Sequence, residues 1–213
     1  AKLFDEVILD DYYFNSCRCE KCIEQKGERS WAEFKLHQME EYSKLLVAAA
    51  KDVNPKCRCI IKFPNWYEAF QECGYNPGKQ KDIFDAIYTG YLGSFEQIDL
   101  MKSFFDRYKT EDNIIFVDPA MADNGKYYSG LDESYAKKLR ELCKRADIIS
   151  PNMTEAMILS GNAPEDYKNI ADIKEVFDGL SDITEKIIIT GVHNKNVIST
   201  VCYDKITKEI FSA

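Results

Sequence analysis

Long apolar runs are missing from this sequence. No stretch of its 213 residues approaches the roughly 20 apolar residues of a membrane-spanning helix, so no transmembrane segment is expected. An excess of basic residues is missing too: 28 Lys and Arg stand against 36 Asp and Glu, a formal net charge of -8. Wrapping nucleic acid or an anionic membrane needs a basic footprint. Both are therefore excluded as main partners, and a small-molecule ligand is expected instead. No secretory leader of basic, apolar and small residues is read near Ala1, and there is no internal repeat or low-complexity tract. Histidine is scarce: His37 falls in a predicted helix and His193 follows a predicted strand, and both read as solvated or core side chains rather than ligands.

What is present is a chain that is 45% hydrophobic, enough for one good core but short for two complete α/β domains. Its cysteines are unevenly placed. Cys17, Cys19, Cys22, Cys57, Cys59 and Cys73 precede Gly90, and only Cys143 and Cys202 follow it. Without a leader, reduced thiols in a cytoplasmic protein are expected over a disulfide framework. "CRCEKC" and "CRC" offer enough thiolates for a tetrahedral zinc site. C-x-C-x-x-C is not a finger spacing, however, and the second pair alternates across a predicted strand, so its thiols should diverge. A structural reading of these cysteines is preferred to zinc.

The periodicity reads as alternating strands and helices. "EVILDDYYF" (Glu6 to Phe14) has the β-branched character of a buried strand, with Asp10 and Asp11 toward its end. Ser30 with Glu33 signals a capping box, and the helical stripe from Trp31 to Ala49 stops at Asn54-Pro55. "CIIKF" and "IFDAIYTG" are predicted strands, so residues 1–90 read β-α-β-loop-β. Beyond Gly90, Ser94 with Gln97 marks a second box, "NIIFVD" a buried strand, Leu131 to Ala146 a helix, "ADIIS" a short strand and Thr154 to Ser160 a helix closed by Gly161. "KIIIT", "NVISTVCYD" and "KEIF" are strands, the last two an edge hairpin. This alternation predicts an α/β fold with a mostly parallel sheet flanked by helices.

Ligands of open α/β sheets bind at the carboxyl ends of strands. Asp118 in "FVDPAMADNGKYY" occupies such an end, where a carboxylate can hold a Mg ion or its waters, or can simply cap a turn. Asp123-Asn124-Gly125 is a turn signal that would shape the following loop. In "ADIISPNMTEA", Ser150 and Asn152 bracket a proline and Glu155 falls in the first turn of a helix, where a carboxylate also suits the dipole. A third end, "IIITGVHN", supplies Thr190 and Gly191, a hydroxyl and a flexible backbone suited to phosphate oxygens.

In order and spacing, "DAIYTGYLGS", "DPAMADNGKYY", "ADIISPNMTEA" and "ITGV" resemble the pyridoxal (pyridoxamine) kinases of the ribokinase-like superfamily, from about Asp85 to Ala213. The resemblance implies ATP- and Mg-dependent phosphorylation of the 5'-hydroxymethyl group of pyridoxal, pyridoxamine or pyridoxine (vitamin B6 salvage), in a cytoplasmic homodimer. It implies that Tyr91 faces the vitamer, that Asp118 and Glu155 act around Mg and ATP with Asp123 as a second acidic group near the metal, and that Asn152 and Thr190 contact the nucleotide phosphates. The wider superfamily more often has Val and Gly where this chain has Ala120 and Ala122. The family's catalytic base is the Asp of a Gly-Thr-Gly-Asp motif whose helix amides form an anion hole. No such motif occurs in these residues, so no catalytic base is assigned and turnover is expected to be weak or nil.

The start of the chain resembles something else. "FDEVILDDYYFNSCRCEKCIEQKGERSW" and "IIKFPNWYEAFQECGYNP" are similar to a segment of little-characterised glycoside-hydrolase-like (β/α) barrel proteins, over about residues 1–90. In a barrel, Asp10, Asp11 and the "PNWYE" loop would face a sugar site, with Trp66 and Tyr67 free to stack on a ring. Adjacent residues of a strand point to opposite faces, so at most one of the two Asp could be catalytic. The chain therefore reads as chimeric, with a barrel-like βαβ segment over 1–84 and a partial ribokinase-like domain over 85–213. The competing readings are a carbohydrate-active barrel fragment and a non-catalytic α/β module.

Overall fold

The computed structural model describes residues 5–9, 15–62, 71–80, 82–166, 173–194 and 197–212. The chain divides into two compact units, one of residues 1–89 with 110–113 and one of residues 90–109 with 114–213. Asp10, Asp11, Trp66 and Tyr67, the residues singled out for a sugar site, lie outside the described residues.

In the first unit, β1 (Glu6–Leu9), β2 (Arg58–Lys62) and β3 (Ala86–Thr89) pair in parallel, with Val7 opposite Cys59 and Ile60 opposite Ala86. Helix α1 (Glu20–Lys26) precedes α2 (Trp31–Val53), and α3 (Pro77–Gln80) is a single turn before β3. The expected capping box starts α2: the Ser30 hydroxyl accepts the Glu33 N–H at 3.2 Å, and the Glu33 carboxylate accepts the Ser30 N–H at 2.9 Å. Leu9, Met39, Cys57, Cys59, Ile61, Tyr75 and Phe84 form the core of this unit, with Leu46, Val47 and Ala50 of α2 packed against it. Cys57 and Cys59 are thus core side chains, and burial pushes the Cys59 thiol up to about 11.

Two local expectations need correction. The strand read from "IFDAIYTG" is only Ala86–Thr89, because the chain turns at Asp82 and Ile83 and bends at Phe84 and Asp85 before it, with Asp85 as the anchor of the bend. Its N–H donates to the Cys59 carbonyl, and its carboxylate accepts the Cys59 N–H at 2.9 Å and the Lys51 ammonium at 2.8 Å. Helix α1 was not expected at all; it buries none of its residues, so it has no apolar stripe to read.

One buried group in this unit is unmatched. The Thr89 hydroxyl has no hydrogen-bond partner among the described residues, although Thr89 is only 5% exposed. Thr89→Val keeps the shape and removes the orphan, so we expect it to raise stability by about 1 kcal/mol in urea unfolding. A loss of stability would mean that the hydroxyl is satisfied after all.

In the second unit, α4 (Phe95–Tyr108) begins at Ser94, whose hydroxyl accepts the Gln97 N–H, while the Gln97 side chain accepts the Gly93 N–H at 2.7 Å. Strand β4 (Ile114–Val117) follows, then the short pair β5 (Ala122–Asp123) and β6 (Lys126–Tyr127), α5 (Glu133–Cys143), β7 (Ile148–Ile149), α6 (Met153–Ser160) and α7 (Ile173–Gly179). Strands β8 (Lys186–Asn194), β9 (Val197–Asp204) and β10 (Glu209–Ser212) complete it. β4, β7 and β8 run parallel, and β9 and β10 add antiparallel strands as the predicted hairpin. The fold is α/β, with mostly parallel strands flanked by helices. No helix among the described residues is long and apolar enough to cross a membrane.

Strand β8 corrects another expectation. Thr190 and Gly191 do not end it; the strand runs on to Asn194, and the register against β9 shifts between Ile189 and Val192. Gly191, at φ 68°, takes the left-handed conformation that this bulge requires.

Candidate functional site

The carboxyl ends of β4 and β7 deliver Asp118 and the Ser150-Pro151-Asn152 turn, and the bulge in β8 brings Thr190 to the same turn. Asn152 and Thr190 form an isolated parallel bridge, with the Thr190 N–H donating to the Pro151 carbonyl at 3.0 Å. After Asp118 the chain turns back through Pro119 to the β5–β6 pair. Asn124 (φ 51°) and Gly125 (φ 76°) make its two-residue turn, as the Asn-Gly signal predicts.

Glu155 fastens these pieces together. Its Oε1 accepts the Met121 N–H at 3.0 Å and the Ala122 N–H at 3.4 Å, and its Oε2 accepts the Asn152 N–H at 2.8 Å. Asn152 returns the cap by accepting the Glu155 N–H at 3.0 Å, and its amide donates to the Ala122 carbonyl at 2.7 Å. The Thr154 hydroxyl accepts the Gly125 N–H at 3.0 Å. Helix α6 therefore starts with a capping box whose carboxylate also pins a loop some thirty residues away in sequence. Met121 and Ala122 are fully buried there, and Glu155 is 2% exposed. Burial pushes the Glu155 carboxyl up to about 7, against the pull of its three backbone donors, and the negative charge of Asp118 adds to the rise.

The expected site residues are thus only partly gathered. Asn152, Glu155 and Thr190 share one turn, and Asp118 lies close enough to Glu155 to act on it electrostatically. Asp123 is exposed and accepts the Asn124 N–H at 2.8 Å. Among the described residues, Asp118, Asp123 and Glu155 do not bring three carboxylate oxygens within 4.8 Å of one another. Gly191 is half-buried at the bulge, and Thr190 is exposed.

Tyr91 is 42% exposed, and its ring lies 6.4 Å from that of Tyr128 at 60°. Sequence reasoning missed Tyr128. It follows β6 just beyond the Asn-Gly turn, and burial, Glu155, Asp123 and Asp118 together raise its hydroxyl above the usual tyrosine range. An aromatic just past a hairpin turn beside a candidate acidic site was the available signal. The loop carrying Tyr91 is tied to α5 by the Tyr135 hydroxyl, which donates to the Leu92 carbonyl. A separate cavity of about 580 Å³, lined by Tyr127, Glu133, Arg140, Ser160 and Asn162 among others, shares none of the expected site residues.

Comparison with known proteins gives two overlapping assignments. Residues 80–213 match the family described as phosphomethylpyrimidine kinase, and residues 1–118 match that described as "Probable glycosyl hydrolase, catalytic domain". A pyridoxal kinase of Histophilus somni is 30% identical over 49% of this chain and 37% of its own length. An uncharacterized protein of Saccharolobus solfataricus is 32% identical over 42% of this chain and 19% of its own. Among solved structures, the pyridoxal kinase from Lactobacillus plantarum superposes with a TM-score of 0.54 at 25% identity, over 64% of this chain and 49% of that one. The pyridoxal kinase from Entamoeba histolytica gives 0.54 at 26% identity, over 63% and 49%. The chain spans about half the length of these solved kinases and less of the curated relatives. The chain is chimeric: through residues 80–213 it belongs to the phosphomethylpyrimidine kinase family, with the ribokinase-like fold of the pyridoxal kinases, and through residues 1–118 to the probable glycosyl hydrolase catalytic-domain family.

Proposed function

We propose that this chain carries the Mg–ATP-facing half of a kinase that phosphorylates the 5'-hydroxymethyl group of pyridoxal, pyridoxamine or pyridoxine. The observation that carries the reading is the Glu155 hub, which holds the Asp118 loop, the Asn152 cap and, through the Asn152–Thr190 bridge, the β8 bulge at one place. Phosphoryl transfer depends chiefly on positioning and on neutralising charge. Asp118, half-buried at its strand end, would hold the Mg ion or its waters, with Glu155 and Asp123 adding negative charge. Thr190, Gly191 and Asn152 would meet the phosphates, and Tyr91 with Tyr128 would face the vitamer ring. The similarity to pyridoxal kinases supports this substrate class. The protein so read is a cytoplasmic homodimer acting in vitamin B6 salvage.

The test is the melting temperature of the purified chain with and without Mg–ATP. A ligand at one hundred times its Kd stabilises by about 2.7 kcal/mol, so a clear upward shift is expected. Asp118→Asn should weaken Mg–ATP binding by about tenfold or more, equivalent to roughly 1.4 kcal/mol. Unchanged affinity would remove Asp118 from the metal site. No Gly-Thr-Gly-Asp motif occurs among the 213 residues, so a pyridoxal assay on this chain alone should show weak or no turnover.

The match of residues 1–118 to a glycosyl hydrolase catalytic domain favours a second reading for the first unit, that of a carbohydrate-facing segment. A melting shift with oligosaccharide and none with Mg–ATP would favour it over the kinase reading.

A further inference from the structure

We propose that Cys17, Cys19 and Cys22 form a three-thiolate zinc site in the first unit, independent of the kinase chemistry. The spacing looked unsuited to a metal, but the local fold makes the three thiols converge. Cys19 is the N-cap of α1 and Cys22 its third residue, the same pair of positions whose side chains meet in a capping box. Cys17 is brought back toward them by a tight turn in which the Asn15 side-chain oxygen accepts the Cys17 N–H at 2.9 Å. The three sulfurs lie within 4.8 Å of one another. Tetrahedral zinc with bonds of about 2.3 Å needs sulfurs about 3.8 Å apart, a small side-chain adjustment away.

A second observation supplies the charge. Lys35 of α2 is fully buried, and among the described residues no carboxylate pairs with it. Its ammonium lies 3.6 Å from the Cys22 sulfur and 3.2 Å from the Gln38 side-chain oxygen, over the rings of Trp31 and Phe34 at 5.7 and 5.1 Å from their centroids. A buried ammonium needs a compensating negative charge. Zinc with three thiolates carries a net charge of -1 and provides one. Cys17 and Cys19 are exposed, so the fourth position opens to solvent and takes a water. Cys57 and Cys59, buried in the core, take no part. Metal binding would release the thiol protons to solvent without any oxidant.

The test uses the full 213-residue chain, stripped of metal under reducing conditions and titrated with Co²⁺ as a spectroscopic probe. One equivalent should bind with thiolate-to-cobalt charge transfer and intense tetrahedral bands, and Zn²⁺ should displace it. Cys17→Ser lies in an exposed turn outside any helix, so it removes one ligand without touching the fold; it should weaken Co²⁺ binding by at least about tenfold and shift the bands. Triple replacement of Cys17, Cys19 and Cys22 by Ser should abolish binding. The proposal is overturned if the reduced wild type binds no stoichiometric Co²⁺. It is equally overturned if the triple variant binds like wild type, or if mass spectrometry of the protein as purified finds a disulfide among the three thiols in place of metal.

Discussion

Glu155→Ala is expected to cost about 3–5 kcal/mol, because it leaves the Met121, Ala122 and Asn152 N–H groups without their acceptor. Each buried donor so orphaned costs about 1–3 kcal/mol. Two of the three belong to a loop that Glu155 holds from another element. The loss should therefore appear in urea unfolding and also as increased proteolysis near the Asn124-Gly125 turn. Glu155→Gln retains one acceptor oxygen and should lose less. Its pH dependence is more informative. The Glu155 carboxyl sits near 7 in the folded protein against 4.5 for an ordinary Glu, so below pH 4.5 both folded and unfolded states hold the proton. Between 4.5 and 7 only the folded state keeps it. Raising pH through this window therefore removes stability, up to roughly 3 kcal/mol for a rise of this size. Without added nucleotide or Mg, the stability gap between wild type and Glu155→Gln should shrink as pH rises from 4.5 to 8. A gap that widens would mean that the backbone donors outweigh burial and that Glu155 is ionised throughout.

The capped helices could be read from the sequence because their signals are local. Ser30 with Glu33 and Ser94 before α4 each act within one turn of their own helix, whereas at α6 the sequence marks Glu155 in the first turn but not Asn152 as its cap. The buried strands were likewise marked by β-branched runs. The second duty of Glu155 was not readable, since its partners at Met121 and Ala122 come from a loop whose return to α6 no spacing encodes. The bulge at Thr190 depends on the register against β9, which appears only once the two strands pair. The thiols of Cys17, Cys19 and Cys22 looked mismatched because α1, the helix that aligns two of them, has no buried face to announce it. Fold class and the strand-end positions therefore came from local pattern and the roles of Tyr91, Asp123 and Asn152 from the family resemblance, whereas the hub that joins them depends on long-range return of the chain.

Gly74→Ala should be nearly as damaging in the first unit, at about 3 kcal/mol. Gly74 sits at φ 103°, where residues with a Cβ are strained, and the added Cβ would stand 2.7 Å from the Lys35 carbonyl oxygen and run into the Met39 side chain. Met39 could shift; a carbonyl inside α2 cannot without breaking the helix. The 74–76 segment cannot easily retreat either. The fully buried Gln80 side chain donates to the Gly74 carbonyl at 2.7 Å and accepts the Asn76 N–H at 2.9 Å, and Tyr75 between them is buried in the core. Backbone strain and overpacking of this kind each cost about 1–3 kcal/mol, and here both apply. The clash falls on the backbone of Lys35, whose ammonium meets Cys22, so the strain of the same substitution should also loosen any metal held by the three thiols. Urea unfolding followed by Co²⁺ titration would measure both effects on one sample. A loss of stability under 1 kcal/mol would mean that the turn opens more readily than its clamp by Gln80 implies, and normal Co²⁺ affinity alongside a large loss would separate the thiol cluster from the packing of α2.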